Sequence, residues 1–167
     1  CSREGDHAGG SRHGSVSSFT FESPASRTVF GLGSFSQLPL EIERLGAKRA
    51  MIVATAGRAS LSNKVRILLG ARVVQSFERA VPHVPQEIAR TAREAASESR
   101  ADCIIAVGGG SAIGVAKAIA LTTSIPIVAI PTTYGGSEMT PIWGLTENDR
   151  KETGRNPVVQ PRVVIYD

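Results

Sequence analysis

Few of the residue types that mark specialised proteins occur in this chain. Only 5% of its 167 residues are aromatic, which argues against base stacking on an exposed sheet surface. The formal charge of +4 comes from arginines spread along the chain, without the Lys/Arg run that binds nucleic acid or a membrane surface. No apolar run approaches the length of about 20 residues that spans a bilayer. We therefore expect neither nucleic acid nor a membrane as a partner.

Cysteine and histidine are also scarce. The two cysteines, Cys1 and Cys103, do not make a disulfide framework, and Cys103 lies in an apolar run where a cysteine usually acts as a small hydrophobe. Of the three histidines, two lie in the first 16 residues, and His83 lies in a loop where a solvated side chain is the simpler interpretation. We therefore expect no metal site in this chain.

The amino-terminal residues differ in composition from the rest. The chain begins with Cys1 rather than Met, which suggests a fragment or a processed product. Residues 1–16 are polar, Gly/Ser-rich and without periodicity, as in a disordered tail or an expression remnant. They lack the apolar core of a signal peptide, so a cytoplasmic protein is the default expectation. We assign residues 17–167 to one domain, because this length supports one core but not two.

Apolar strands and amphipathic helices alternate through the rest of the chain. We expect buried strands at 50–55, 72–77, 103–107 and 125–130, and helices at 35–45, 61–69, 85–99 and 112–121. One hairpin is predicted from 19–21 and 28–30, a second at 142–151 and a last strand within 158–166. This alternation predicts an α/β fold with a Rossmann-like, doubly wound, mostly parallel sheet, whose ligands bind at the carboxyl ends of the strands.

The most informative stretch is the glycine turn after the strand at 103–107. Gly108, Gly109 and Gly110 carry no side chain, and Ser111 stands where a helix N-cap belongs. Because a helix N-terminus with free N–H groups binds phosphate, we hypothesise that Gly109, Gly110 and Ser111 hold a dinucleotide pyrophosphate. The spacing matches neither G-x-G-x-x-G nor a P-loop, so a plain connection is an equally open alternative.

A second cluster of glycines and hydroxyl side chains follows the strand at 125–130. It occupies residues 131–140, PTTYGGSEMT. Both clusters follow carboxyl ends of parallel strands and are therefore expected at the same edge of the sheet. There the hydroxyls of Thr132, Thr133 and Thr140 would face a phosphorylated ligand rich in hydroxyl groups. Glu138 is either an acid or base or, as is more common in a turn, a cap for nearby N–H groups.

Three basic residues have two interpretations each. Lys117 lies six residues beyond Ser111, which favours a solvated helix face over phosphate contact. Arg58 follows a strand that ends without Asp or Glu, so strict NAD selection is not indicated, and this arginine either accepts a 2′-phosphate or is solvated. Lys151, near the tip of the second hairpin, either approaches phosphate or ribose or is solvated.

Taken together, these residues resemble the iron-containing alcohol dehydrogenase superfamily. The resemblance runs from about Phe19 to the end and rests on residues 108–117, 131–140 and 144–167. Within the superfamily, the stretch PTTYGGSEMTPIWGLTE is most similar to the maleylacetate reductases. Two departures from the metal-dependent members point the same way: Gly114 stands where they usually carry Asp, and the turn at 134–137 is one residue shorter than theirs.

The resemblance implies the architecture and the reaction of the family. It implies an α/β dinucleotide-binding domain whose all-helical C-terminal partner domain is absent from this chain, with chemistry in the cleft between the two. The likeness to the maleylacetate reductases implies that NADH or NADPH is used to reduce the carbon–carbon double bond of maleylacetate to 3-oxoadipate, in bacterial breakdown of aromatic compounds. We expect a homodimer for the full-length enzyme, and an exposed apolar surface where the second domain would dock.

The resemblance also implies roles for residues in matching positions. The pyrophosphate would lie on Gly109, Gly110 and Ser111, the nicotinamide half on Thr132 and Thr140, and a ribose or phosphate oxygen on Lys151; Thr55 and Thr133 complete the expected cofactor site. No catalytic residue is expected here, since the family's metal ligands and substrate histidines would lie beyond Asp167. The chain alone should bind dinucleotide weakly without turnover. The alternatives are the cofactor domain of a metal-dependent alcohol or glycerol dehydrogenase, or a non-catalytic nucleotide-binding fragment.

Overall fold

The computed structural model describes residues 25–167, and its centre is a six-stranded parallel sheet. The order of the strands across the sheet is β1-β8-β5-β4-β2-β3. A separate antiparallel hairpin, β6 with β7, packs beside it. The strands are β1 (Arg27–Phe30), β2 (Ala50–Ala54), β3 (Val73–Phe77), β4 (Cys103–Gly108), β5 (Ile127–Pro131), β6 (Ile142–Glu147), β7 (Arg150–Arg155) and β8 (Val163–Tyr166).

The central strands form because they are apolar on both faces. Every residue of β2 and of β4 is buried, as expected for parallel strands covered by helices on both sides. The helices α1 (Leu38–Arg44) and α2 (Ala59–Leu69) pack on one face, and α3 (Gln86–Glu98) and α4 (Gly110–Thr123) pack on the other. The predicted Rossmann-like, doubly wound α/β fold is therefore confirmed.

The strand order places a switch point between β2 and β4. From β2 the chain passes through α2 to β3 at the sheet edge, and then returns through α3 to β4 on the other side of β2. The two strands run in register, with Ala54 opposite Val107. Ligands of doubly wound folds bind in the crevice at the carboxyl ends of such a strand pair, so this edge is where a site is sought.

Several element boundaries and one strand pairing differ from the sequence-based expectation. The strand expected from 125 begins at Ile127, because Pro126 has no N–H to donate to a neighbouring strand. The last strand covers only Val163–Tyr166, since Pro157–Val159 form a 3₁₀ turn. The hairpin expected from 19–21 and 28–30 falls partly outside the described residues, and β1 pairs in parallel with β8.

The expected second hairpin is present as β6 and β7, and a two-residue turn joins its strands. Asn148 and Asp149 both have positive φ, 47° and 59°, the combination that suits the twist of a tight hairpin. The buried Leu145 and the partly buried Trp143 join the core on the side of α3 and α4. The hairpin therefore covers α4 near the carboxyl edge of the sheet. Within residues 25–167, no helix is long and apolar enough to cross a membrane.

Candidate functional site

The glycine turn between β4 and α4 uses its three glycines in different ways. Gly108 has φ of 142°, and a Cβ there would lie 3.2 Å from the Cβ of Ala112. A Cβ on Gly109 would lie 2.9 Å from Oγ1 of Thr133. A Cβ on Gly110 would meet no described atom within 4 Å outside its own helix. Packing therefore explains the first two glycines, whereas the third leaves open space beside the helix N-terminus.

The helix α4 begins two residues earlier than the sequence suggested, at Gly110 rather than residue 112. Its N-cap is Gly109, and no described side chain caps it. The prediction that Ser111 is the N-cap is wrong, because the turn is completed within Gly108 and Gly109 and Ser111 already lies in the first helical turn. A helix N-terminus without a side-chain cap or an acidic residue in its first turn is suited to an anion.

The structure brings the second cluster against this turn. The backbone N–H of Thr132 donates to the carbonyl oxygen of Gly108 at 3.1 Å, and Thr133 packs against Gly109. Oγ1 of Thr132 is buried and has no hydrogen-bond partner among the described residues. Since buried hydroxyls are nearly always paired, this atom fits a ligand group at the same edge. The expectation that both clusters share one edge is thus met by the geometry.

Lys117 is buried rather than solvated, so the sequence-based interpretation was wrong. It is 1% exposed, and its Nζ donates to the carbonyl oxygens of Thr140 and Ile142, both at 2.7 Å. Burial lowers the pKa of Lys117 to about 8, although the negative charge of Glu138 acts in the opposite direction. The signal was present in the sequence: α4 is apolar all round, and a lysine in such a helix has to be buried with partners.

Glu138 is also buried, and its partner is a side chain rather than turn N–H groups. It is 2% exposed, and its Oε1 accepts a hydrogen bond of 2.8 Å from the hydroxyl of Tyr166. The interpretation of Glu138 as a cap for the N–H groups of its own turn is therefore wrong within the described residues. Burial, followed by the bond to Glu138, raises the pKa of Tyr166 to about 12. The ring of Tyr134 stacks on that of Tyr166 at 5.5 Å.

A cavity of about 250 Å³ lies between α4 and the β6–β7 hairpin. Gly110, Gly114 and Lys151 line it, so it joins the helix N-terminus to a cation of the hairpin; we call it the hairpin cavity. A Cβ on Gly114 would lie 2.6 Å from Cγ2 of Val84, so this glycine allows the loop before α3 to approach. His83 is exposed, as expected, and it also lines this cavity.

Thr55 and Arg58 lie beside the turn but outside the hairpin cavity. Thr55 follows β2, whose last residue Ala54 is opposite Val107 of β4, so Thr55 is the neighbour of Gly108. Cγ of Arg58 is 4.0 Å from the point that a Cβ on Gly108 would occupy. The structure thus gathers Gly110 and Lys151 around one cavity and leaves Thr55 at the end of the adjoining strand β2, where the 3₁₀ turn begins.

A larger apolar cavity, of about 670 Å³, opens on the other face of the sheet. Leu61, Ile67, Leu68 and Phe35 line it, together with Thr132 at the carboxyl edge; we call it the apolar groove. Ile67 is 82% exposed, which is unusual for a large aliphatic side chain in a helix. The sequence analysis did not identify this groove, because it depends on how α2 sits against the sheet.

The described residues offer no ready metal centre. Within residues 25–167, no three His, Cys, Asp or Glu side chains lie close enough together to hold a metal ion. The carboxyl edge carries hydroxyls, backbone N–H groups and cations beside the buried carboxylate of Glu138. The hydroxyls, N–H groups and cations suit an anionic ligand.

A parallel sheet with a glycine turn at its switch point and an uncapped helix behind that turn defines a Rossmann-like α/β domain. Residues 25–167 match the model of the iron-containing alcohol dehydrogenases, and the chain belongs to that family. The family resemblance found in the sequence is therefore confirmed, and the relatives are oxidoreductases.

The curated relatives include several maleylacetate reductases. The enzyme of Burkholderia cepacia is 49% identical over 152 residues, which are 91% of this chain and 43% of that protein. Maleylacetate reductase 2 of Cupriavidus pinatubonensis is 49% identical over 84% of this chain and 39% of its own length. The chain thus spans less than half the length of these relatives.

Solved structures give the same result. The crystal structure of maleylacetate reductase from Agrobacterium tumefaciens has a TM-score of 0.86 at 42% identity, covering 91% of this chain and 43% of that one. A sulfoacetaldehyde reductase from Bifidobacterium kashiwanohense, solved in complex with NAD⁺, has a TM-score of 0.79 at 23% identity, covering 90% and 46%. The second likeness supports the fold alone.

Proposed function

We propose that this chain is the NAD(P)H-binding part of a maleylacetate reductase. The observation that carries the proposal is the 49% identity with the Burkholderia cepacia enzyme across 91% of the chain. The full-length enzyme would reduce the carbon–carbon double bond of maleylacetate to give 3-oxoadipate, and would act as a cytoplasmic homodimer. When bound, the reduced nicotinamide would supply the hydride for that reduction.

The local geometry fits a dinucleotide at the carboxyl edge. The uncapped N-terminus of α4 would hold the pyrophosphate through the N–H groups around Gly109, Gly110 and Ser111, since Gly110 leaves room for close approach. Lys151 lines the hairpin cavity beside Gly110 and would bind a ribose or phosphate oxygen. The remaining expected contacts are hydroxyl groups: the nicotinamide half would meet Thr132, Thr133 and Thr140, and Thr55 would lie on the adenosine side.

The groups that act on the substrate would lie outside these 167 residues. This part of the proposal is supported by the length of the relatives, which are more than twice as long as the matched part. Exposed apolar side chains near the carboxyl edge, including Leu32 at 104%, Phe30 at 75% and Tyr134 at 84%, support the proposal that a second domain docks there.

One observation bears on the alternative, a metal-dependent alcohol or glycerol dehydrogenase. Those members usually carry Asp at the position of Gly114, whereas here even a Cβ would meet Cγ2 of Val84 at 2.6 Å. The loop that carries Val84 would therefore have to move to accept an aspartate. This packing favours the reductase assignment over the metal-dependent one.

Calorimetry and a turnover assay test the proposal together. We expect NADH or NADPH to give weak, saturable heat with the 167-residue chain, and maleylacetate to cause no oxidation of NADH. An absence of saturable heat at millimolar dinucleotide would rule out the binding role. Maleylacetate-dependent oxidation of NADH by the purified chain would show instead that the catalytic groups lie within it.

A further inference from the structure

We propose that Lys117 is a positioning residue that holds the nicotinamide side of the cofactor site in register with the glycine turn. The inference rests on the proposed dinucleotide-binding function. Lys117 touches no ligand in this account. It acts through the backbone segment that joins the loop after β5 to the hairpin.

The first step is the placement of Lys117 on α4. Gly110, Gly114 and Lys117 are spaced by four and three residues, which puts them on one face of the helix. Gly110 and Gly114 line the hairpin cavity, and Lys117 lies two turns further along, about 10 Å from Gly110 at the helical rise of about 1.5 Å per residue. The same face therefore carries the proposed phosphate-binding end and the buried ammonium group.

The second step is what the ammonium group binds. Its three donors meet three acceptors: the carbonyl oxygens of Thr140 and Ile142, each at 2.7 Å, and Oγ1 of Thr140 at 3.4 Å. The residue between them is Pro141, which has no N–H to donate, and whose carbonyl oxygen accepts from the N–H of Asn156 at 2.9 Å. Lys117 thus ties this junction to α4 by hydrogen bonds, in addition to the apolar packing of the hairpin.

The third step is what moves with the junction. Thr140 is a proposed contact of the nicotinamide half, and β6 begins at Ile142. Lys151 lies on β7, paired with Thr146 of β6, and its Cε lies 3.3 Å from the point that a Cβ on Gly144 would occupy. A shift of the junction would therefore displace Thr140 directly, and Lys151 only indirectly through the β6–β7 pairing.

The choice of a lysine at this position supports a role beyond packing. Burying an ammonium group is costly even when all its donors are paired, and an apolar side chain of similar volume often serves stability as well. In the same loop, Oε1 of Glu138 accepts a hydrogen bond of 2.8 Å from the hydroxyl of Tyr166 on β8. The loop is therefore bonded to α4 through Lys117 and to the sheet through Tyr166. Such support keeps the contacts of a binding site in place.

The experiment compares two ligands and matched lysine variants. Lys117→Met removes the donors while keeping the length of the side chain, and Lys48→Met removes an exposed lysine at the opposite end of the sheet. Binding of NADH and of ADP is measured by calorimetry, because ADP carries the phosphates without the nicotinamide half. Thermal unfolding of each variant is recorded alongside.

We expect Lys117→Met to weaken NADH binding by about tenfold or more, since small displacements of positioning groups have large effects, and to change ADP binding by less than about threefold. Lys48→Met should change the affinity for neither ligand.

Equal loss of affinity for NADH and ADP, or no loss for either, would overturn the positioning role. If Lys117→Met does not fold, Lys117→Gln, which keeps one donor group, takes its place; unfolding of both would show a purely structural lysine and also overturn it. If the wild-type chain binds neither ligand, the proposed function itself fails.

Discussion

The two glycine-containing turns that leave neighbouring strands β4 and β2 have the same order of elements but different geometry. After β4, the helix α4 starts at once from Gly109, and Gly108 has φ of 142°. After β2, a 3₁₀ turn of Ala56–Arg58 comes before α2. A Cβ on Gly57 would meet no described atom within 4 Å, and its φ is not positive. Only the turn after β4 depends on its glycines.

The difference shows that glycine content alone does not identify a phosphate site. At the β4 turn, the glycines bring the backbone against Thr132 and Thr133 and leave the end of α4 open toward the hairpin cavity. At the β2 turn, the nearest functional candidate is the side chain of Arg58. We therefore propose that the pyrophosphate binds at the first turn and that the second turn contacts, at most, the adenosine ribose.

The largest expected effect is on stability, from adding one methyl group to each turn. Gly108→Ala should cost about 1–3 kcal/mol, because Ala at a φ of 142° is strained and its Cβ would crowd Ala112. Gly57→Ala should be neutral or stabilising by about 0.4–1 kcal/mol, because it reduces the entropy of the unfolded chain. Urea unfolding of both variants measures this, and equal losses would contradict the distinction between the turns.

A second pair of variants separates binding from stability. Gly110→Ala should leave the free energy of unfolding unchanged or slightly higher, since Ala is the better helix former, while its methyl group should weaken NADH binding by about tenfold. Gly57→Ala should leave NADH binding unchanged. Calorimetry on the two folded variants gives the comparison, and unchanged affinity in Gly110→Ala would remove the pyrophosphate from this turn.

The smallest effect is expected at Arg58. If it accepts the 2′-phosphate, Arg58→Ala should weaken NADPH about threefold to fivefold, the scale of an exposed charge contact, and should leave NADH unaffected. The control is Arg72→Ala, which removes an exposed arginine in the 3₁₀ turn just before β3. If Arg58→Ala leaves the affinity for NADPH unchanged, the solvated alternative is favoured.

The elements of the sheet could be predicted because consecutive apolar residues in the sequence indicate a buried strand. The strands β2 and β4 are apolar at consecutive positions, and the hairpin turn at Asn148 and Asp149 has a local signature. The start of β5 was misplaced by two residues because the effect of Pro126 depends on the neighbouring strand. Boundaries set by pairing are therefore less predictable than the existence of a strand.

The buried charges could not be located in the same way. The partners of Lys117 are 23 and 25 residues away in the chain, and Glu138 meets Tyr166 at a separation of 28. Neither spacing leaves a local pattern, so the partners could not be predicted; only the burial of Lys117 was indicated, by the apolar residues that surround it in α4. The helix start at Gly110 was missed for a related reason: Ser111 is a good capping residue, but the geometry of Gly108 completes the turn earlier.

The most direct test of the cofactor site is an NMR titration of the isotopically labelled chain with NADH. We predict saturable shifts of the backbone amide signals of Gly109, Gly110 and Ser111, and of residues around the hairpin cavity such as Lys151. Signals from Ile67 and Leu68 in the apolar groove should remain unchanged. Saturable shifts confined to the apolar groove, or no shifts at millimolar NADH, would contradict the account.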